Sequence, residues 1–452
     1  MSELLIFLLM IVIFAGSCFF LKLPVGIALL LSSVGGALAG GFGVPVKFMV
    51  EGTMSFLDTI LVIACAMIFM KCIQYSGALD MLNRFFLRRF HNHKVILLLL
   101  LMLIIMFPGM ITGSSTAAVI SAGAIVCPIL IAMGIPAEKA AAIIALGGMY
   151  GATAPPVNIA VMTIGGGVDI PYVGFGIPLL LLSVPLAIFS VLVLGLKDCK
   201  NMDYEQVKIQ LQIRDDEKMS FVMLLPVFVL LALILLPSML PNIVPSLSMT
   251  IVFMISALLC ILTGKKFSVW AAIKEGVNSS LPVMGILMGV GMFIEIMTMT
   301  GVKRWLVVNC LALPDALIFV AIAVTIPLFG AISSLGAASV FGVPFLLALM
   351  SRDTIVVAAA LASIASVGEL MPPTALAGIF ASGTGAIHRC SEEVPSLCAA
   401  DHCLEPTVYH FCQPNRVPSP LRTARRCHCD DRNYRILADH GVCRSCNRIL
   451  HF

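Results

Sequence analysis

The chain has 452 residues, of which 60% are hydrophobic and 12% are charged, and its formal net charge at pH 7 is +4. A soluble domain has about a quarter of its residues charged, so this composition excludes an ordinary soluble protein. Apolar runs of about twenty residues, each long enough to cross roughly 30 Å of hydrocarbon, recur about ten times. We therefore predict an all-α, polytopic membrane protein.

The first apolar run, "LLIFLLMIVIFAGSCFFL", has no basic start and leads directly into a second span, "LKLPVGIALLLSS". We expect this run to be retained as a membrane helix rather than cleaved as a signal peptide. The basic segment "NRFFLRRFHNHK" at 83–94 favours the cytoplasmic side of the membrane. Contact with lipid or nucleic acid is one interpretation of it, and an amphipathic arm that anchors the topology is the favoured one.

A polar break then interrupts the apolar sequence in "MITGSSTAAVISAGAIVCP", and "GATAPPVNIA" follows it. Since proline has no N–H, a helix through Pro155 and Pro156 would leave the carbonyls of Gly151 and Ala152 without donors. Unpaired carbonyls in lipid cost several kcal/mol, so such backbone persists only where protein, water or an ion occupies it. Two elements are predicted here, a re-entrant hairpin over 110–134 and a discontinuous helix over 139–168.

A charged loop at 197–218, "KDCKNMDYEQVKIQLQIRDDEK", divides the chain, and the same pattern returns after it. "FGAISSLGAASVFGVP" and "GELMPPTALA" predict a second hairpin over 329–351 and a second discontinuous helix over 354–380. The second serine precedes the first proline by 40 residues in one half and 38 in the other, and "YSGALDML" resembles "MTGVKRWL" upstream. Duplication with fusion explains this repeat.

Paired broken helices in homologous halves are typical of a transport site at the membrane midplane. Half-helix N-termini favour an anion such as a carboxylate, whereas freed carbonyls and hydroxyls suit a hard cation such as Na⁺. Close packing of small residues is the alternative interpretation of each break alone. The repetition of both breaks favours the site.

The charges near the breaks are few. No Arg or Lys stands inside the surrounding apolar stretches, so a substrate carboxylate would be held by helix ends, hydroxyls and bound cations. Glu369 precedes the second proline pair, and an intramembrane acid is a functional candidate that could bind a cation, carry a proton or make a structural hydrogen bond. Asn158 could contact substrate or cap the second half-helix. Glu295 is interpreted as structural and Asp58 as interfacial.

The composition changes abruptly near His388. From there to Phe452 the chain holds eight of its fifteen cysteines, six of its eight histidines and nine arginines, but no lysine and no span-length apolar run. We predict a non-membrane tail over 387–452, and an out-of-frame translation that replaces a final span is the favoured explanation. A disulfide-bonded outer segment and a zinc module are the alternatives. The candidate zinc ligands are Cys427, Cys429, Cys443 and Cys446.

Over roughly residues 1–385 the chain resembles the large membrane subunit of tripartite ATP-independent periplasmic (TRAP) transporters, the DctM-like permeases. The similarity lies in "LKLPVGIALLLSS", "YSGALDMLNRFF", "GMITGSSTAAVISAGAIVCP", "GATAPPVNIAV" and "GELMPPTALAG". It implies two inverted repeats and Na⁺-driven uptake of an organic acid, commonly a C4-dicarboxylate or sialic acid, by an elevator movement of a transport domain against a scaffold. It also implies a small four-helix membrane subunit and a periplasmic or lipid-anchored binding protein as partners in the bacterial cytoplasmic membrane. Neither a nucleic acid nor a cofactor besides Na⁺ is expected.

The resemblance also implies site residues and domains. One half of the cation and substrate site would contain Gly113, Ser114, Ser115, Gly151 and Thr153, and the other Ser333, Ser334, Gly336, Gly368 and Thr374. The break pattern adds Pro155, Pro156, Asn158, Glu369, Pro372 and Pro373, and Na⁺ is expected near Ser115, Gly151, Ser334 and Gly368. The expected domains are scaffold helices and an arm at 1–93, a transport half at 94–176, central scaffold helices and a second arm at 177–314, a second transport half at 315–386, and the tail.

The runner-up function is a stand-alone organic-anion symporter or Na⁺/H⁺ exchanger of the same superfamily, which would need no binding protein. An intramembrane enzyme is disfavoured because the sequence contains no H-E-x-x-H motif. An ATP-driven pump is disfavoured because the sequence contains no G-x-x-x-x-G-K-[ST] loop.

Overall fold

A computed structural model describes residues 2–91, 93–199, 221–239, 247–312, 314–371, 377–378 and 380–382. This part of the chain is helical and contains no strand, which confirms the predicted all-α class. Most of the charged loop, the segment with Pro372, Pro373 and Thr374, and the tail with its candidate zinc ligands lie outside the described residues.

The first half contains eleven described α-helices. Their bounds are α1 Glu3–Phe19, α2 Val25–Ala39, α3 Val46–Ser55, α4 Leu57–Ser76, α5 Ala78–Phe90, α6 Lys94–Thr112, α7 Ser115–Ala118, α8 Ala124–Ala132, α9 Ala137–Thr153, α10 Ile159–Gly166 and α11 Gly176–Gly195. Proline stands directly before three of these helices, at positions 24, 45 and 136. A proline is tolerated there because the first N–H groups of a helix have no intrahelical partner.

The second half contains eight described α-helices. They are α12 Leu225–Met239, α13 Met249–Thr263, α14 Val269–Met299, α15 Val302–Leu311, α16 Asp315–Gly330, α17 Ser334–Ala337, α18 Val343–Ala348 and α19 Thr354–Val367. Five helical segments among the described residues are long and apolar enough to cross a membrane, and shorter apolar helices accompany them. The five segments are Leu57–Ser76, Lys94–Thr112, Ser115–Ala132, Gly176–Gly195 and Val269–Met299.

The internal repeat is visible where the two arms begin. Gly77 and Gly301 both adopt the left-handed conformation, with φ of 77° and 79°, and α5 and α15 start at the next positions. Glycine suits this conformation because it has no Cβ to clash with the backbone. The similarity between "YSGALDML" and "MTGVKRWL" therefore marks equivalent turns from a membrane helix into an arm.

The two arms lie on opposite sides of the helix bundle, which we call the α5 side and the α15 side. On the α5 side, the amide of Lys265, which precedes α14, donates to the Ser76 carbonyl at 3.4 Å. The long helix α14 begins nearby at Val269 and ends at Met299 on the α15 side. Hairpin α6–α8 starts from the α5 side, next to arm α5, whereas α18 packs against arm α15. The repeats are thus inverted relative to each other.

Glycines allow helices α2, α3 and α14 to pack closely. A Cβ on Gly52 of α3 would lie 2.3 Å from the carbonyl oxygen of Gly291 in α14, and one on Gly26 of α2 would lie 2.3 Å from that of Gly285. Such approaches are typical of membrane helix interfaces, where small residues let backbones meet. They fix α14 against both α2 and α3.

Candidate functional site

The first polar break is the tip of a helical hairpin. Helix α6 ends at Thr112, Gly113 adopts a φ of 65°, and Ser114 is extended and accepts a hydrogen bond from Ala117 N at 3.3 Å. Ser114 is therefore an N-cap that begins the returning arm. The predicted segment 110–134 covers this tip and the returning helices, while the outgoing arm starts earlier, at Lys94.

The second break repeats this geometry. Ser333 is extended, with φ −162° and ψ 119°, and its hydroxyl accepts from Gly336 N at 3.0 Å. The outgoing arm, α16, starts at Asp315, ahead of the predicted segment 329–351. Each returning arm also has a five-residue π-helical turn shortly after its start, Val119–Gly123 in one half and Ala338–Gly342 in the other. Such turns often occur at functional sites.

The two tips meet at one carboxylate. Ser115 donates a hydrogen bond to Glu369 Oε2 at 2.5 Å, and Ser334 donates one to Glu369 Oε1 at 2.5 Å. Both serines are buried, with 4% and 7% of their surface exposed. Glu369 lies in a short 3₁₀ turn, Gly368–Leu370, that directly follows α19. One acidic side chain thus joins hydroxyls from both repeats.

Close glycine contacts bring each hairpin to the long helix that follows it. A Cβ on Gly151 would lie 2.4 Å from the carbonyl oxygen of Met106, and one on Gly109 would lie 2.8 Å from the Gly151 carbonyl carbon. In the second repeat, a Cβ on Gly368 would lie 2.5 Å from the Cα of Gly330. The predicted site residues Gly151 and Gly368 therefore stand at equivalent crossings of the two halves.

The first discontinuous helix breaks at the proline pair, between Thr153 and Ile159. The helix ends before the prolines instead of running through them, and Ala154 N bonds the carbonyls of Tyr150 and Gly151 at 3.0 and 3.2 Å. The expected loss of a donor to Gly151 is therefore avoided. The peptide bond between Pro155 and Pro156 is cis.

Asn158 spans this break with both of its polar atoms. Its Nδ2 donates to the carbonyl of Thr153 at 2.8 Å, and its Oδ1 accepts from Val161 N at 2.9 Å. The side chain is buried, with 1% exposed. These bonds tie the end of α9 to the start of α10, which favours capping among the two roles considered for Asn158. The Thr153 hydroxyl likewise bonds within its own helix, to Tyr150 O at 3.0 Å.

The site residues of the two halves are thus sorted by what they touch. Ser115, Ser334 and Glu369 converge, Gly151 and Gly368 position the elements that carry them, and Ser114, Ser333 and Asn158 cap helices. Gly336 supplies the N–H that Ser333 accepts, and Gly113 forms the turn. Pro372, Pro373 and Thr374 lie outside the described residues.

The charge distribution where Ser115 and Ser334 meet Glu369 favours the binding of a cation. In the part of the chain that the structure describes, no lysine or arginine forms an ion pair with Glu369. A carboxylate beside two hydroxyls offers oxygen ligands, which hard cations prefer. Among the same residues there is no cluster of three or more His, Cys, Asp or Glu side chains that could hold a transition metal.

Two contacts near the site could not be predicted from the sequence. Phe14 of α1 stacks on Phe329 with ring centroids 5.3 Å apart, and a Cβ on Gly336 would lie 3.6 Å from the Phe14 ring. Lys303 of arm α15 donates to the carbonyl of Gly167 at the end of α10, at 2.9 Å. Neither Phe14 nor Lys303 belongs to a polar break, so the pattern of breaks could not identify these two residues.

The model of one protein family matches the chain over residues 4–395, and its description is "Tripartite ATP-independent periplasmic transporter, DctM component". No curated protein matches the chain. The matched segment includes both hairpins, both glycine crossings and Glu369.

Proposed function

The chain belongs to the DctM component family of TRAP transporters, the large permease subunits of secondary transporters, and we propose that it couples Na⁺ entry to uptake of an organic acid. It is accordingly a multi-pass membrane protein of a transporter family. The proposed substrate is a dicarboxylate or a related carboxylate that a periplasmic binding protein delivers.

The contact of Ser115 and Ser334 with Glu369 carries this proposal. A fixed carboxylate in a site with low dielectric constant attracts a cation and repels a second carboxylate. A substrate acid therefore binds well only once a cation neutralises Glu369. Transport of the acid would then require the cation, so that movement of the two solutes is coupled.

The surroundings of the two tips support an organic acid held without a guanidinium. N–H groups at the breaks, serine hydroxyls and the bound cation itself are the groups available to a carboxylate. These groups recognise a carboxylate in general. The choice among acids would be made by the soluble binding protein.

The distribution of charge supports an orientation in the bacterial cytoplasmic membrane. Exposed basic residues prevail on the α5 side, which carries Arg88, Arg89, Lys265 and Lys266. Positive residues in short loops favour the cytoplasmic side. We therefore place arm α5 at the cytoplasmic surface and arm α15 at the periplasmic surface, where a binding protein would dock.

Reconstitution tests the proposal. The full chain is placed in proteoliposomes with the small four-helix subunit, and uptake of a labelled C4-dicarboxylate is measured with the binding protein outside. Uptake is expected with an inward Na⁺ gradient and not with an equal K⁺ gradient. Equal rates of uptake with the Na⁺ gradient and with the K⁺ gradient contradict the proposal. Uptake without the binding protein identifies the stand-alone symporter instead.

A further inference from the structure

One cationic side chain connects the periplasmic-side arm to the first broken helix. Lys303, the second residue of α15, donates from Nζ to the carbonyl oxygen of Gly167 at 2.9 Å. Gly167 is the C-cap of α10, the half-helix whose N-cap is Asn158. A cation at a helix C-terminus is stabilised both by the unpaired carbonyl and by the helix dipole.

Two carboxylates face the same lysine. Burial lowers the pKa of Lys303, and the negative charges of Asp169 and Glu295 oppose that shift. Asp169 follows α10 and has a φ of 58°, whereas Glu295 belongs to scaffold helix α14. The half-buried amine therefore lies among acids from the transport half and from the scaffold.

The end of α10 fits tightly at this junction. A Cβ on Gly167 would lie 2.4 Å from Val343 Cγ2 of the second hairpin and 3.3 Å from Ile294 Cδ1 of α14. The carbonyl that Lys303 contacts is thus held between the scaffold, the arm and the opposite hairpin. A movement of α10 past the scaffold has to break the bond to Lys303.

The first repeat has no counterpart of this lysine. In the alignment of "YSGALDML" with "MTGVKRWL", Leu79 occupies the position of Lys303, and its side chain is apolar and buried, with 3% exposed. The contact can therefore form on the α15 side only. Lys303 therefore adds a polar tie on the α15 side for which the aligned position of the first repeat offers only an apolar side chain.

We propose that Lys303 is a positioning residue that ties the C-terminal end of α10 to arm α15 and must release whenever the broken helix moves. The tie holds the described arrangement of the transport half and favours it over the state on the opposite side. Its role in a transport cycle rests on the proposed function, whereas the tie itself does not.

Hydrogen–deuterium exchange on the full chain in lipid nanodiscs tests the tie. Lys303→Met keeps the alkyl stem and removes the amine, and it is expected to speed amide exchange in peptides covering 164–170 by about tenfold. Lys303→Arg should restore most of the protection, because a guanidinium can donate to the same carbonyl. Peptides from hairpin residues 115–132 should exchange at the original rate.

Arg304→Met is the matched control, since it removes a positive charge from the exposed neighbouring position on the same arm. It should leave exchange at 164–170 unchanged. Equal protection in Lys303→Met and the parent chain, or equal acceleration by Arg304→Met, overturns the proposal. Should Lys303→Met not fold, Lys303→Gln, whose amide is too short for the contact, gives the same comparison.

Binding of ²²Na⁺ to the same samples separates this proposal from the proposed function. Lys303→Met is expected to bind Na⁺ within about twofold of the parent chain, because Lys303 contacts none of the converging residues. A parent chain that binds no Na⁺ counts against the proposed function and leaves the exchange result standing. A Lys303→Met chain that loses Na⁺ binding with unchanged exchange contradicts the tie.

Discussion

Ser115 donates a hydrogen bond to Glu369 Oε2 at 2.5 Å although 254 positions separate the two residues in the chain. Ser334 bonds the other oxygen of the same carboxylate. The two hairpin tips are therefore connected through one acidic group, and any ligand of that group is shared by both repeats. Each serine that contacts Glu369 stands next to a serine that caps a helix, so the tips themselves offer matched pairs for mutagenesis.

Ser115→Ala and Ser334→Ala should weaken Na⁺ binding more than they weaken folding. Each removes one hydroxyl oxygen from beside the carboxylate, and since hard cations prefer oxygen ligands we expect about a tenfold loss of Na⁺ affinity, which corresponds to about 1.4 kcal/mol. Equilibrium binding of ²²Na⁺ to the purified chain measures this loss, and thermal unfolding measures stability.

The neighbouring serines provide the control. Ser114→Ala and Ser333→Ala remove N-caps and should cost about 1 kcal/mol of stability with a smaller effect on Na⁺ affinity. Equal Na⁺ affinities in all four variants and the parent would show that the contact with Glu369 plays no part in cation binding.

Gly151→Ala and Gly368→Ala should each destabilise the fold by about 1–3 kcal/mol, because the added methyl meets backbone that cannot move aside. The nearest atoms are the Met106 carbonyl oxygen at 2.4 Å and the Gly330 Cα at 2.5 Å. A lower thermal unfolding temperature in detergent checks the expectation.

Gly16→Ala is the matched substitution, since a Cβ at Gly16 meets no atom within 4 Å. It lies inside α1, where alanine is the better helix former by about 1 kcal/mol, so unchanged or higher stability is expected. Tolerance of alanine at Gly151 and Gly368 equal to that at Gly16 would refute the close crossings.

Asn158→Ala should destabilise the chain by about 2–4 kcal/mol, because it removes a helix cap and leaves the buried Thr153 carbonyl without its donor. Thr163→Val, in the same helix, is the control. Among the described residues the Thr163 hydroxyl bonds the Ile159 carbonyl one turn back, at 2.8 Å, so its loss should cost less than about 1 kcal/mol. The thermal unfolding temperatures of the two variants measure this difference. Equal decreases in both variants would contradict the structural role of Asn158.

Local backbone chemistry made the breaks predictable. Pro155 and Pro156 cannot continue a helix, and Ser114 and Ser333 are good caps, so the interruptions could be placed from the sequence alone. The repeat could be found because these signals recur with nearly equal spacing. The extent of each hairpin could not be predicted, because the outgoing arm in α6 is apolar from Val95 to Met106 and contains no residue that marks a boundary.

Contacts between residues that lie far apart in the chain could not be predicted from the sequence, for a different reason. Glu369 was a candidate because an acid at membrane depth is costly, but nothing local specifies that its two oxygens face Ser115 and Ser334. The same holds for Lys303, whose partner Gly167 lies 136 positions away. Such contacts depend on how the inverted halves pack, and packing is set by tertiary crossings such as that of Gly109 with Gly151.

The most direct test of a shared cation site is ²²Na⁺ binding by Glu369→Gln compared with Glu275→Gln. Both glutamates accept two side-chain hydrogen bonds, those of Glu275 in α14 coming from Lys71 at 2.5 Å and Tyr75 at 2.6 Å in α4. Glu369→Gln keeps the shape of the side chain and removes its charge, so Na⁺ affinity should fall at least about tenfold, whereas Glu275→Gln should stay within about twofold. Unchanged Na⁺ affinity in Glu369→Gln would contradict the account.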